Sequence, residues 1–157
     1  MDWPAWLIIF GATFVLMELA AWALHKYVMH GFLWSLHRDH HVKPKNQKWE
    51  RNDLFALFFS IPSFLFILAD SLWKIPWLGA IGFGIMAYGG AYFLIHEVII
   101  HRRVKLIPRF NNWYLEALNS AHKLHHSNLE KYNSVSFSML VVSLPYFKKA
   151  WRRNRKR

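Results

Sequence analysis

Three long apolar runs set the framework of this chain: residues 3–24, interrupted only by Thr13 and Glu18, residues 54–69, and residues 77–95. At 1.5 Å rise per helical residue, the first and third are long enough to cross bilayer hydrocarbon roughly 30 Å thick. The second, about 24 Å long as a helix, must thin the bilayer or continue past Asp70. The 3–24 run has no basic leader and no small-residue cleavage pattern, so it is expected to be a retained transmembrane helix and not a signal peptide. Residues 70–76 are short enough to close an antiparallel helical hairpin, with Pro76 suited to the first helical turn and Trp73 and Trp77 to an interface belt. Ala80-x3-Gly84 and Ala87-x3-Ala91 have the small-residue spacing that lets membrane helices approach closely. A last stretch, 135–147, is broken by Ser136, Ser138, Ser143 and Pro145; a partly inserted or interfacial helix is expected there in preference to a fourth span. The pattern predicts an all-α integral membrane protein, three to four transmembrane helices with a cytoplasmic histidine-rich di-metal head, folded as one domain over 1–157.

The polar positions explain the head. All ten histidines fall into two copies of one arrangement, His25-x4-His30 with His37-x2-His40-His41, and His96-x4-His101 with His122-x2-His125-His126. Neutral imidazole is the commonest metal ligand, and ten nitrogens exceed the four to six positions of one metal, which points to two. On a helix, residues at i, i+3 and i+4 share one side, so each triplet can converge on one metal or divide between two. Residues at i and i+5 differ by about 140° on an ideal α-helix, so each H-x4-H pair is expected to straddle a helix end or feed different metals. Two crossings separate the 37–41 cluster from His96, so all four clusters meet at one membrane face. Lys26, Arg38, Lys43, Lys45, Lys48 and Arg51 lie on that face and Lys74 alone in the hairpin, while the remaining Lys and Arg follow His101. The positive-inside rule therefore puts the histidines in the cytoplasm, at the inner membrane. The net charge of +11 then serves attraction to anionic phospholipid, and no nucleic-acid partner is expected.

Absences narrow the chemistry. There is no cysteine, which excludes thiolate-ligated haem and iron–sulfur clusters, and no Glu-x2-His motif, which excludes the carboxylate-bridged di-iron bundle. An oxygen-activating site here is an all-histidine pair of non-haem irons, although imidazole also suits zinc and copper. A metal transporter should carry ligands inside its spans, whereas these stop at the helix ends, and a bis-histidine haem carrier would leave most of the ten without a purpose. Asp39, between two candidate ligands, and Glu97, next to His96, are candidates to accept an imidazole N–H and so orient a ligand. Glu18 lies inside the first span, seven residues before His25 on nearly the same face, and an intramembrane acid is a functional candidate by default. Asn119, one turn before His122, is placed to orient a metal-bound water. No flavin or nicotinamide fingerprint is present, so an external electron donor such as ferredoxin or a reductase is expected.

The sequences His25-Lys-Tyr-Val-Met-His30, His37-Arg-Asp-His40-His41, His96-Glu-Val-Ile-Ile-His101 and His122-Lys-Leu-His125-His126 resemble the motifs of the membrane fatty-acid-hydroxylase/sterol-desaturase superfamily. The short chain and the flanking text, Trp34-Ser-Leu-His37 and Ala121-His122-Lys-Leu, are similar to its bacterial non-haem β-carotene hydroxylases. The resemblance covers nearly the whole chain and lacks no motif histidine. It implies two non-haem iron ions held by the ten histidines, with zinc possible as isolated, and O2 as co-substrate. The implied substrate is a carotenoid drawn from the bilayer lipids, hydroxylated at C3 of each β-ionone ring to give zeaxanthin through β-cryptoxanthin.

Overall fold

A computed structural model describes residues 1–42, 49–105 and 112–156; Lys43, Lys45 and Lys48 of the first basic loop lie outside them. Among the described residues the regular structure is entirely helical. Helix α1 (Trp3–Ala23) starts where the Asp2 carboxylate accepts the Ala5 N–H and Pro4 fits the first turn. It runs without a break into a π-helical segment, Leu24–Phe32, that kinks at Gly31. Helix α2 (Trp34–His41) follows, and a short 3-10 turn, Arg51–Leu54, leads into α3 (Phe55–Trp73).

The second apolar run extends past Asp70 instead of thinning the membrane. Asp70 and Ser71 are helical, and α3 stops only at Lys74, whose φ of 56° takes the left-handed conformation that ends many helices. Pro76 opens α4 (Pro76–Phe93), which continues as a second π-helical segment, Leu94–Ile100. Helix α5 (Trp113–His126) is capped by the Asn112 side chain, and α6 (Leu144–Asn154) closes the fold. Three continuous helical stretches, Trp3–Phe32, Arg51–Trp73 and Pro76–Ile100, are long and apolar enough to cross a membrane.

Helix α4 packs between α1 and α3, and two glycines set how closely. A Cβ on Gly82 would lie 2.8 Å from the Ser63 carbonyl of α3, and one on Gly84 would lie 2.9 Å from the Phe10 carbonyl of α1. Both backbones are thus in contact with α4 where only hydrogen fits, and the Ser63 hydroxyl donates across the first interface to the Gly82 carbonyl at 2.8 Å. Ala80, of the anticipated small-residue pair with Gly84, is completely buried. Met17 and Ala21 of α1 meet Ile85 and Tyr88 of α4 in the core below the histidines, while Ile8, Val15, Leu16 and Leu19 face outward, as a lipid-facing surface requires.

Residues 135–147 form neither a fourth span nor one interfacial helix. Irregular backbone runs from residue 127 to 143, and only from Leu144 does α6 begin, with Ala150 and Val142 packed on Ala117, Leu118 and Ala121 of α5. Lys148, Lys149, Arg152, Arg153 and Lys156 line one groove along α6, with Arg153 also reaching Glu116 of α5 at 3.4 Å. The interruptions by Ser136, Ser138 and Ser143 defeat the helix because the backbone of that stretch has other partners, which belong to the site.

Candidate metal centre

Both H-x4-H pairs lie at the π-helical extensions. A π-helix bonds residue i to residue i+5, as the His101 N–H does to the His96 carbonyl at 2.9 Å, so side chains five apart stand on one side of the helix. The α-helical offset is thereby removed: His96 and His101 straddle the end of their helix as expected, whereas the alternative that the two members of a pair feed different metals gives way to pairs aimed at one point. The ring centroids of His25 and His30 are 5.3 Å apart, and those of His96 and His101 4.5 Å.

The ten imidazoles form two groups of five, His25, His30, His37, His41 and His125, and His40, His96, His101, His122 and His126, each with ligand-capable atoms within 4.8 Å of one another. Every half of the chain gives its π-helical pair and the i, i+4 members of its triplet to one group. The third triplet member, His40 on α2 or His125 on α5, crosses to the other group. The groups abut where the His41 and His126 rings stack at 4.5 Å.

Among the described residues, seven rings have an Nδ1 hydrogen bond to an oxygen outside the histidine groups. Nδ1–H donates from His25 to the Phe137 carbonyl (2.9 Å), from His30 to that of Lys131 (3.0 Å), from His41 to that of Asn128 (2.9 Å) and from His125 to that of Val135 (2.9 Å). His37 donates to Asn52 Oδ1 (2.6 Å), His40 to Glu50 Oε2 (2.8 Å) and His96 to Glu97 Oε1 (2.6 Å). Fixing Nδ1 as the donor leaves the Nε2 lone pair facing inward, the arrangement that metal-binding histidines use.

The inward contacts fit a cation. His30 and His125 both donate Nδ1–H to carbonyls, which only accept, yet their Nε2 atoms approach to 3.2 Å. With both rings neutral, two lone pairs face one another, which is repulsive unless a positive ion lies between them. Imidazoles bound at 2.0–2.1 Å to one metal have neighbouring nitrogens about 3.0–3.4 Å apart; three further inward pairs, His25 with His37, His41 with His37 and His40 with His96, stand at 3.2, 3.2 and 3.1 Å, and a fourth, His101 with His122, is closer at 2.7 Å.

Burial favours the neutral form that binds metal at the rings of both triplets. It is the largest cause at each of those six, and it lowers His37 and His126 from 6.5 to about 2, His125 to about 3 and His41 to about 4. His40 and His122 are pushed well down too, first by burial and then by neighbouring imidazoles. Phe137 stands against His25, His30 and His125 with centroids 5.2–5.4 Å away, and Trp34 covers His30 and His41 at 5.0 and 5.3 Å. These aromatic walls limit water around the first group.

Of the polar candidates, Glu97 orients His96 and also accepts from Arg103 at 2.9 Å. Asp39 points away from the rings, with Oδ2 accepting the Arg51 N–H at 2.6 Å and Oδ1 buried without a hydrogen bond among the described residues. The buried Oδ1 of Asn119 has no partner there either. Glu18 binds no imidazole: its Oε1 accepts the N–H groups of Met139, Leu140 and Val141 at 3.0–3.1 Å, and Oε2 accepts the Tyr88 hydroxyl at 2.7 Å. It anchors the irregular segment whose carbonyls orient His25 and His125.

Glu50, Asn52, Arg103 and the carbonyls of residues 128–137 were not foreseen from the sequence. Arg103 grips Asp53 through two bonds of 2.7 and 2.8 Å, and Asp53 in turn accepts the Glu50 N–H. The one available signal was an acid and amide cluster, Glu50-Arg-Asn52-Asp53, in a chain with only nine acidic residues.

The model of the fatty acid hydroxylase family matches residues 10–142. The chain is 41% identical over 144 residues to a beta-carotene hydroxylase of Pantoea ananas, covering 89% of this chain and 78% of that one. It is 36% identical to a beta-carotene hydroxylase of Pseudescherichia vulneris, covering 83% and 73%. A chloroplastic beta-carotene 3-hydroxylase of Gentiana lutea is 34% identical over 83% of this chain and 41% of its own. No solved structure matches.

Proposed function

The chain belongs to the fatty acid hydroxylase family, and on that premise we propose that it is a membrane di-iron monooxygenase that hydroxylates C3 of the β-ionone rings of β-carotene, giving zeaxanthin through β-cryptoxanthin. The observation that carries this reading is the convergence of ten imidazoles in two groups of five at the ends of helices long and apolar enough to span a membrane. His25, His30, His37, His41 and His125 would hold one iron, and His40, His96, His101, His122 and His126 the other. The bound pair would supply activation of O2: one oxygen atom enters a C–H bond, and the other leaves as water with two electrons from an external donor such as ferredoxin or a reductase and two protons from solvent.

This chain's own residues supply orientation and exclusion. The carbonyls of Asn128, Lys131, Val135 and Phe137, with Asn52, Glu50 and Glu97, fix the tautomer of seven ligands. Trp34 and Phe137 restrict water beside the first group, which suppresses side reactions of a strongly oxidising site. A carotenoid is an apolar rod whose natural route is through the bilayer, and a site at one membrane face receives its ring end. The relatives' names favour this substrate over acyl chains or sterols. Positive charge on the same side favours a cytoplasmic orientation at the inner membrane.

Expression in cells that accumulate β-carotene tests the proposal. Hydroxylated carotenoids are expected on pigment analysis, and unchanged β-carotene in cells holding folded, iron-loaded protein would overturn it.

A further inference from the structure

The two histidine groups look alike in their inner atoms and differ in what stands behind them. In the first, all five rings donate Nδ1–H to neutral oxygens: four backbone carbonyls and the Asn52 amide. In the second, two of the five, His40 and His96, donate to the carboxylates of Glu50 and Glu97. Neither carboxylate is placed by chance. Arg103 Nη1 lies 2.9 Å from Glu97 Oε2 and 3.7 Å from Glu50 Oε2, so one guanidinium ties the two acids together. Asp53 holds that guanidinium by two bonds, and hydrogen bonding to Asp53 is the main cause raising the Arg103 pKa.

A carboxylate draws the Nδ1 proton more strongly than a neutral oxygen does, because it carries a full negative charge; the two bonds are 2.6 and 2.8 Å long, and it is this charge that sets them apart from the equally short bond of His37 to Asn52. Electron density left on the ring makes Nε2 a stronger donor to a metal. We propose that the two metal positions are electronically unequal: the one formed by His40, His96, His101, His122 and His126 is the more electron-rich, binds the first divalent ion, and owes both properties to Glu50 and Glu97 held by Arg103. Glu50, Glu97 and Arg103 are positioning residues in this scheme. The inference rests on the histidine groups being metal sites, and on nothing about the substrate.

The test uses full-length protein, stripped of metal, in lipid nanodiscs and titrated anaerobically with 57Fe(II). At one equivalent the parent is expected to show a single Mössbauer quadrupole doublet, with a second, distinct doublet growing in during the second equivalent. Glu97→Gln preserves size and should weaken the first site about 10- to 100-fold, the usual effect of removing such a partner, so that the first equivalent divides between both doublets. Asn52→Ala should leave the first doublet in sole possession of the first equivalent and weaken only the second step. Two equivalents bound by the parent with both doublets growing equally from the start would overturn the inequality, whatever the pigment assay shows. Equal disturbance of the first step by Glu97→Gln and Asn52→Ala would overturn the role given to the carboxylates. Failure of the parent to bind iron at all would remove the metal centre, and with it both this inference and the hydroxylase.

Discussion

A histidine held neutral by burial ties folding to pH. His37, His41, His125 and His126 have folded values of about 2, 4, 3 and 2 against 6.5 ordinarily. Between 6.5 and those values the unfolded chain binds more protons than the folded one, so stability is fully present above 6.5 and declines as pH falls below it. Metal-free protein in detergent should therefore show a lower unfolding midpoint at pH 5.5 than at 7.5; equal midpoints would mean that the rings are not buried neutral. The ligands themselves should act as a unit, because losing one changes geometry and potential at its metal. Alanine at any one of His37, His40, His41, His122, His125 or His126 is expected to cut hydroxylated pigment to below about a hundredth of the parent level, within the span of losses seen when parts of a catalytic unit are removed. Near-normal pigment in most of the six would contradict a shared centre. The convergence of the ten histidines was legible from spacing, and of the two acids picked out beside them Glu97 bonds an imidazole while Asp39 does not. Glu50 and Asn52 were not legible, because their partners are fixed by the 3-10 turn Arg51–Leu54 that Glu50 caps, a feature that no periodicity encodes.

At the scale of elements, the informative case is the irregular stretch 127–143. Buried backbone must find hydrogen-bond partners, and this stretch finds them in side chains: four carbonyls receive imidazole N–H groups, and three N–H groups go to Glu18. Glu18→Leu should leave those three amides without an acceptor, at about 1–3 kcal/mol for each one that stays buried, and lower both thermal stability and iron content. Glu18→Gln, which keeps one oxygen for the amides, should lose much less of either. Equal iron content and midpoints for parent and Glu18→Leu would leave the carboxylate without an anchoring role. The hydrophobic pattern located all three long helices, and Pro76 opens the second helix of the hairpin as expected, whereas the first runs on through Asp70 and Ser71 to stop at Lys74. It could not show the π-helical extensions, since an H-x4-H spacing is ambiguous until the hydrogen-bond register is known. Ser136, with φ of 63° between the two carbonyls that serve His125 and His25, likewise has no signature in the sequence.

For the whole molecule, three crossings put both histidine copies on one face. Reporter fusions after Asp70 should behave as non-cytoplasmic, and fusions after Lys48 and Lys105 as cytoplasmic, because the basic residues other than Lys74 flank the histidine clusters or follow them. A cytoplasmic signal at Asp70 would overturn the orientation. Fold class followed directly from the apolar runs. The way the head closes did not, because it depends on α5 and the 127–143 stretch folding back beneath α1 and α2, contacts far apart in sequence.

The exchange of His40 and His125 between groups has a consequence for how this chain can be divided. A cut at the hairpin, after Lys74, would give two fragments, each with its own triplet and pair yet with four of the five ligands for one metal and a single ligand for the other. Each metal position would then be a joint property of two polypeptides, as at a subunit interface. The fragments expressed singly should yield no hydroxylated pigment, whereas together they should restore it through a non-covalent complex that co-purifies. Activity from one fragment alone would show that the crossing histidines are dispensable. The exchange makes the two copies a single unit of assembly.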